Sequence, residues 1–172
     1  EAEVSQEAQA ALTQVIQDAD GIYKGKGLRT DEINRMMKPF PNFIGTYPAD
    51  FLKQLPKQLP PDRFGFIMNL DKRDKPGSHW VAVYVDKEDS IEYYDSFAKP
   101  PTKSFMKQIK KLVDRLAPDV YLKFKVNKII DQKVTTSSCG WFAMNFLMQR
   151  FLGKPFREVT LWDAQNGEGD IE

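Results

Sequence analysis

The chain contains one cysteine, Cys139, which lies directly before the apolar block GWFAMNFLMQRF and directly after the polar run TTSS. This pattern predicts a buried helix that begins at Cys139, with Ser137 or Ser138 as its N-cap. Free backbone N–H groups at a helix start stabilise a thiolate and can bind the oxyanion of a tetrahedral intermediate. Cys139 is therefore a candidate nucleophile, although a lone free cysteine is more often a small buried hydrophobe.

The chain also contains one histidine, His79, which follows the sequence KPGS and begins an apolar run. Asp95 comes sixteen residues later, near the end of the next predicted strand. Antiparallel strands joined by a short turn bring such positions side by side, so Asp95 could orient the imidazole and stabilise its charged form. Taken singly, a lone histidine is more often an ordinary surface or core residue, and Asp95 could simply end its strand.

A glutamine, Gln132, precedes the cysteine by seven residues, in the loop that leads to the predicted helix. Its neutral amide could donate a hydrogen bond to a developing oxyanion without titrating. As an isolated loop residue it would carry no information. Histidine, aspartate, glutamine and cysteine in this order, each at the boundary of a predicted element, together indicate acyl transfer through a thiol–imidazole pair.

Hydrophobic periodicity predicts the elements that must position these groups. The predicted helices cover 4–19, 30–37 (with Thr30 or Asp31 as N-cap), 102–117 (with Thr102 as N-cap) and the segment from Cys139 to GKP at 153–155. The predicted strands cover 63–70, 79–85, 90–97 and 121–130, and the proline-rich segment 38–61 is predicted to be an irregular connection. The sequence therefore predicts an α+β fold, in which the helix that carries the nucleophile packs on a mostly antiparallel sheet with flanking helices.

Length and composition favour one domain spanning residues 1–172, with an N-terminal helical segment at 1–38 and a flexible C-terminal tail at 154–172. A net charge of +1 does not indicate a dedicated nucleic-acid binder, although KQIKK at 107–111 is locally basic. One cysteine forms no internal disulfide, so a reducing compartment is expected, and no apolar run approaches the ~20 residues of a membrane helix. Because the first residue is Glu1, we also expect that the chain was trimmed or excised from something longer.

The ordered motifs GSHW, YYDSF, Q and SSCGWF resemble those of cysteine peptidases of the adenovirus-protease and ubiquitin-like-protease clan. The segment NFIGTYPADF at 42–51 and the spacing of seven residues between the glutamine and the cysteine are similar to adenovirus-type proteases, called adenains. The matching pieces run from about residue 42 to 150. Asp95 departs from the adenain pattern, in which a glutamate is usual, and looks more like the SUMO-protease branch.

The resemblance implies a papain-like two-part fold and a role for each candidate residue. His79 would be the general base and acid, Asp95 its orienting carboxylate and Cys139 the nucleophile. The oxyanion hole would comprise Gln132 and the backbone N–H of the cysteine. Trp80 matches the family's His-Trp pair and could roof a narrow substrate channel, although a core tryptophan on a strand is an equally good interpretation. Asn69 could face the same cleft, and Trp141 is expected to pack in the core.

By the same resemblance, the chain is a cysteine endopeptidase that cleaves after glycine in Gly-Gly or Gly-X-Gly contexts and processes viral capsid or core precursors. The alternative activity is removal of SUMO or ubiquitin-like modifiers, for which the basic helix at 102–117 could bind an acidic patch. A third interpretation is a non-catalytic module that binds glycine-rich tails. Acetyl transfer, known in the same clan, lacks any signal for a coenzyme A pocket.

The resemblance also bears on cofactors, partners and location. No cofactor or metal is required for the chemistry. Adenains are activated by a disulfide-linked peptide together with viral DNA, but with one cysteine such a link would consume the nucleophile, so only a non-covalent peptide or DNA activator stays open. The expected partners are protein substrates with glycine-rich cleavage sites, while nucleic-acid binding is left open and no membrane partner is expected. We expect a monomer in the host cytoplasm or nucleus, or packaged in the virion.

Overall fold

The computed structural model describes residues 5–17, 28–70, 79–116, 122–128 and 139–160. In these ranges the strands are β1 (Phe43–Tyr47), β2 (Arg63–Asn69), β3 (Trp80–Asp86), β4 (Ser90–Tyr94) and β5 (Lys123–Val126). The helices are α1 (Gln6–Gln17), α2 (Thr30–Met36), α3 (Lys103–Leu116), α4 (Cys139–Phe151) and α5 (Phe156–Thr160), with a 3-10 turn at Phe51–Lys53. One sheet contains all five strands in the order β1-β2-β3-β4-β5.

The two faces of the sheet bury separate apolar layers. Along β2, Phe64, Phe66 and Met68 point into the layer that α3 covers, whereas Ile67 points into the layer that α4 covers. Strand β3 alternates in the same way, as expected for a strand that is buried on both sides. Helices α1, α2 and α5 add apolar side chains to the α4 layer, so α4 is enclosed between the sheet and these helices.

Helix α4 lies close to the sheet because β2 has a glycine, Gly65, at the point where the helix packs on it. An added Cβ at Gly65 would lie 2.8 Å from Leu147 Cδ2, so the missing side chain makes room for the helix. The helix ends where Gly153 adopts a φ of +101° and donates its N–H to the Arg150 carbonyl, as the sequence GKP predicts. Eight of its thirteen residues are buried, which explains why its sequence is apolar on nearly all sides.

The structure confirms the α+β fold and the predicted helix that packs on the sheet. Helix α3 begins as predicted, with Thr102 Oγ1 accepting the N–H of Phe105 at 3.1 Å. The predicted N-cap of α2 was wrong: the helix already begins at Thr30, and Arg29 is its N-cap. Glu32 stabilises this end because its Oε1 accepts the Arg29 N–H at 2.8 Å.

Three further predictions need correction. The segment predicted to be irregular contains β1, whose residues FIGTY hold no proline and can therefore pair with β2, with a register irregularity around Gly45 at φ +131°. The pairs β1–β2 and β4–β5 are parallel, so the sheet is mixed, and only the β2–β3–β4 centre is antiparallel. The segment predicted as a flexible tail begins with α5, which buries Phe156 against Phe146 of α4.

A membrane-spanning helix would need a long uninterrupted apolar stretch. In the part of the chain that the structure describes, no helix meets that requirement.

Candidate active site

The histidine and the aspartate meet at one end of the β3–β4 hairpin. His79 directly precedes β3 and Asp95 directly follows β4, and the antiparallel register that pairs Ala82 with Tyr94 brings these two ends together. His79 Nε2 lies 3.0 Å from Asp95 Oδ1. The aspartate side chain is 1% exposed and the histidine 21%, so the carboxylate is held in the interior while the ring reaches the surface.

The cysteine is brought to the same place by α4. Cys139 is the first residue of the helix, and its Sγ accepts the backbone N–H of Trp80 at 3.3 Å. The carbonyl of the same peptide unit, that of His79, accepts the N–H of Leu70 at 2.9 Å. The peptide unit that joins His79 to Trp80 therefore donates its N–H to the sulfur, and the residue that bears the imidazole lies directly before that N–H.

The electrostatic environment favours a charged imidazole. Burial lowers the pKa of His79, but hydrogen bonds to the side chains of Asp95 and Cys139 and the negative charges of these two groups outweigh it and raise the pKa to about 9. Because Nε2 bonds to the carboxylate, Nδ1 is the ring nitrogen left for the hydrogen bond to Cys139. A protonated imidazole beside a cysteine is the arrangement that thiol–imidazole catalysis uses.

Sequence reasoning missed a contribution from Phe97. Its ring stacks on the His79 ring, with 5.2 Å between centroids and 24° between planes, and its N–H donates to Asp95 Oδ1 at 2.8 Å. The following residue, Ala98, has a φ of +59° and donates its N–H to the Asp95 carbonyl at 2.7 Å, which closes a tight turn. A short polar side chain followed two residues later by its backbone donor is a common turn signal and is present in YYDSF.

The two predicted substrate-binding residues lie on the α4 side of the sheet. Trp80 is 1% exposed, and its indole Nε1 donates to the carbonyl of Leu28 at 3.2 Å. Asn69 is 5% exposed and pairs with Trp80 between β2 and β3. In the described part of the chain Trp80 is thus a core residue that also contacts Cys139. Its place in a substrate channel stays a prediction, as does that of Asn69.

Trp80 and Leu28 explain why a glycine follows Cys139. A Cβ at Gly140 would lie 2.8 Å from Leu28 Cδ1 and 3.2 Å from Trp80 Cδ1. Leu28 is itself 2% exposed. The chain just before α2 therefore packs beside the first turn of α4, a contact that no sequence pattern indicated.

Gln132 lies outside the described residues, as do the predicted N-caps Ser137 and Ser138. Of the predicted site, the structure brings together Cys139, His79 and Asp95. Within the described ranges there is no cluster of three or more His, Cys, Asp or Glu side chains that could hold a metal ion.

Comparison with known proteins identifies the family. Residues 53–166, which include every candidate catalytic residue, match the C-terminal catalytic domain of the Ulp1 protease family. The chain belongs to the Ulp1 protease family. This places it within the predicted clan, while the closer resemblance to adenains stays a prediction.

Two viral proteins are related in sequence to this Ulp1-family chain. A protein of Acanthamoeba polyphaga mimivirus, named as a thiol protease, is 32% identical over 157 residues, which cover 77% of this chain and 50% of the relative. A cysteine protease of African swine fever virus is 28% identical over 96 residues, which cover 53% of this chain and 35% of the relative. The chain thus spans half the length or less of these two relatives.

Solved structures share the fold of this Ulp1-family chain. The crystal structure of the African swine fever virus protease has a TM-score of 0.59 at 16% identity, covering 93% of this chain and 85% of that one. A structure of the SUMO protease Ulp1, with its catalytic cysteine oxidised to a sulfenic acid, has a TM-score of 0.50 at 16% identity, covering 92% and 91%. These likenesses support the papain-like fold expected from the sequence.

Proposed function

We propose that the chain is a cysteine endopeptidase that uses Cys139 as nucleophile, His79 as general base and acid, and Asp95 as the carboxylate that orients the imidazole. The observation that carries the proposal is the arrangement of the three side chains. One ring nitrogen of His79 lies 3.0 Å from the buried carboxylate of Asp95, and the ring also makes a hydrogen bond with the side chain of Cys139. Membership of a protease family supports the same assignment.

The reaction follows the chemistry of a thiol–imidazole pair. The thiolate of Cys139 attacks the scissile carbonyl carbon and forms a C–S bond. The resulting oxyanion accepts hydrogen bonds from the Cys139 backbone N–H and the Gln132 side-chain amide. Collapse breaks the C–N bond, and His79 gives its proton to the leaving amine. The imidazole then takes a proton from water, which attacks the thioester, breaks the C–S bond and releases the carboxylic acid, so the thiolate and the imidazolium are restored.

For the substrate we propose proteins cut after glycine, in Gly-Gly or Gly-X-Gly contexts. The indole of Trp80 and the side chain of Leu28 lie against the first turn of α4, so little room is left beside Gly140, the residue that follows Cys139. A narrow passage there would admit a glycine and exclude larger residues. The two viral relatives favour precursor proteins of a virus as the natural substrates.

Removal of a folded ubiquitin-like modifier is the second candidate, because the family includes a SUMO protease. Helix α3 presents the exposed lysines 103, 107, 110 and 111, which suit an acidic partner. However, α3 covers the face of the sheet opposite α4. A modifier that contacts α3 would therefore have to extend around the strand ends to place its C-terminus at Cys139.

Cleavage and covalent labelling test both candidates. We expect a peptide with a Gly-X-Gly site to be cut after glycine, and its matched peptide with alanine in place of the glycines to resist. A Gly-Gly peptide with a thiol-reactive end should add its mass to Cys139, and Cys139→Ala should abolish both signals. Cleavage of an intact SUMO conjugate at least tenfold faster than of the short peptide would favour the second candidate. A chain that neither cleaves the Gly-X-Gly peptide nor is modified at Cys139 by the thiol-reactive peptide would contradict protease function.

A further inference from the structure

The parallel pairing of β4 with β5 ends just before Asp95, the residue that bears the orienting carboxylate. The last pair in the register is Tyr93 with Val126. Asp95 follows the last residue of β4 and lies outside the paired register, while its side chain bonds to the histidine. A buried backbone N–H and C=O need other partners there.

The side chain of Asn127 bonds to both groups, and the carbonyl also accepts the Ala98 N–H of the tight turn. The residue follows β5 directly, and it is 0% exposed. Its Oδ1 accepts the N–H of Asp95 at 3.0 Å, and its Nδ2 donates to the carbonyl of Asp95 at 2.7 Å. A single side-chain amide thus replaces a backbone partner across the end of the sheet.

Holding this backbone also fixes the direction of the carboxylate. Only two torsions separate the Asp95 backbone from Oδ1, and that oxygen accepts both the Phe97 N–H at 2.8 Å and the His79 ring nitrogen at 3.0 Å. A shift of the Asp95 backbone would therefore lengthen or bend the bond to the imidazole. Hydrogen bonds weaken steeply when their geometry is lost.

We propose that Asn127 is a positioning residue, whose amide holds the Asp95 backbone so that the carboxylate orients the His79 imidazole toward Cys139. It acts through Asp95 and touches neither the reacting atoms nor the substrate. The inference rests on the proposed function, since it assigns Asn127 a part in activating the same thiol. Among the described residues, the titratable groups that act on the imidazole are Asp95 from the end of β4 and Cys139 from α4, and the charge of Asp95 also acts on Tyr93.

The single histidine of the chain makes the test direct. His79 is the only source of imidazole signals in an NMR spectrum, so its titration midpoint and tautomer can be followed without assignment of other histidines. In Asn127→Ala we expect the midpoint to fall from about 9 towards the ordinary value of 6.5. A fall of one unit corresponds to about a tenfold weaker preference for the charged ring. The rate of Cys139 alkylation by iodoacetamide at pH 7 should fall with it.

Asn42→Ala is the matched control. Its amide also donates to a backbone carbonyl, that of Arg63, at 2.7 Å, but in the β1–β2 region and not beside Asp95. This variant should lose some thermal stability and keep the native His79 midpoint. Should Asn127→Ala fail to fold, Asn127→Gln decides, because it retains the amide but displaces it by one methylene group and should shift the midpoint in the same direction.

The outcomes separate this inference from the proposed function. If the native chain shows an ordinary His79 midpoint and its thiol reacts equally in His79→Ala, the proposed function fails and the inference with it. If the native pair is activated and the folded Asn127 variants keep its midpoint and alkylation rate, the positioning role is overturned while the protease proposal stands. An equal shift in Asn42→Ala would also overturn it, since any loss of stability would then suffice.

Discussion

The raised pKa of His79 predicts how the stability of the protein depends on pH. The folded state holds the proton on this imidazole up to a pKa of about 9, whereas an unfolded chain releases it near 6.5. Protonation therefore favours the folded state. The contribution is fully present below about pH 6.5 and is lost as the pH rises through 9. At 1.36 kcal/mol for each pKa unit, the full difference corresponds to ~3 kcal/mol of unfolding free energy.

His79→Gln is the perturbation that isolates this term. Glutamine retains a hydrogen-bond donor for Asp95 but does not titrate, so the difference in unfolding free energy between native chain and variant should shrink by ~3 kcal/mol between pH 6.5 and 9. Urea denaturation at several pH values, followed by tryptophan fluorescence, measures that difference. The two chains differ at position 79 alone, and because the charge of Cys139 contributes to the raised His79 pKa, the measured difference belongs to the His79–Cys139 pair.

Asp95→Asn provides the second arm of the same experiment. It removes the negative charge that supports the protonated ring but keeps a side chain of the same shape. The pH dependence assigned to His79 should therefore become shallower than in the native chain. An unfolding free energy that falls equally in native chain, His79→Gln and Asp95→Asn would refute the reasoning, because the dependence would then come from groups elsewhere.

Two further predictions concern the contacts of α4. Arg150→Met should lower the free energy of unfolding by about 3–5 kcal/mol. Glu92 is 0% exposed and accepts hydrogen bonds of 2.7 and 2.8 Å from Arg150, so the variant would leave a buried carboxylate without that partner. The double variant with Glu92→Gln should recover part of the loss in urea denaturation. Gly65→Ala should cost about 1–3 kcal/mol in the same assay, since the new methyl group would press on Leu147. Equal stability of the double and single Arg150 variants, or a Gly65→Ala chain as stable as the native one, would contradict these two expectations.

The central part of the fold was predictable because its patterns are local. The short apolar runs of β2 and β3 and the capped amphipathic helix α3 each depend on neighbouring residues, and the structure reproduces them. Strand β1 was missed because its pairing depends on β2, which lies further along the chain, and because the prolines around it suggested an irregular connection. The parallel pairing of β5 with β4 also depends on a connection through α3 that no local pattern specifies.

The candidate site was predictable for the residues whose chemistry is distinctive. The only cysteine, the only histidine and an aspartate at a strand end were found from type and position, and the structure brings their side chains together. Asn127 and Leu28 could not be found in this way. Each acts through contacts that span many residues of sequence, and neither an asparagine after a strand nor a leucine before a helix is distinctive by itself.

In the proposed reaction, the hydrogen bond between the Trp80 N–H and the cysteine sulfur would link the sheet to the chemical state of Cys139. A thiolate is a strong acceptor for that N–H, whereas the sulfur of a thioester is a weak one, so acylation of Cys139 would loosen the first residue of β3. The same peptide unit carries His79, whose ring must then turn from the leaving amine to the incoming water. The loss of negative charge on the sulfur would thus weaken the hydrogen bond to the Trp80 N–H and allow the imidazole to move at the step that requires it. Hydrolysis would restore the charge and the hydrogen bond.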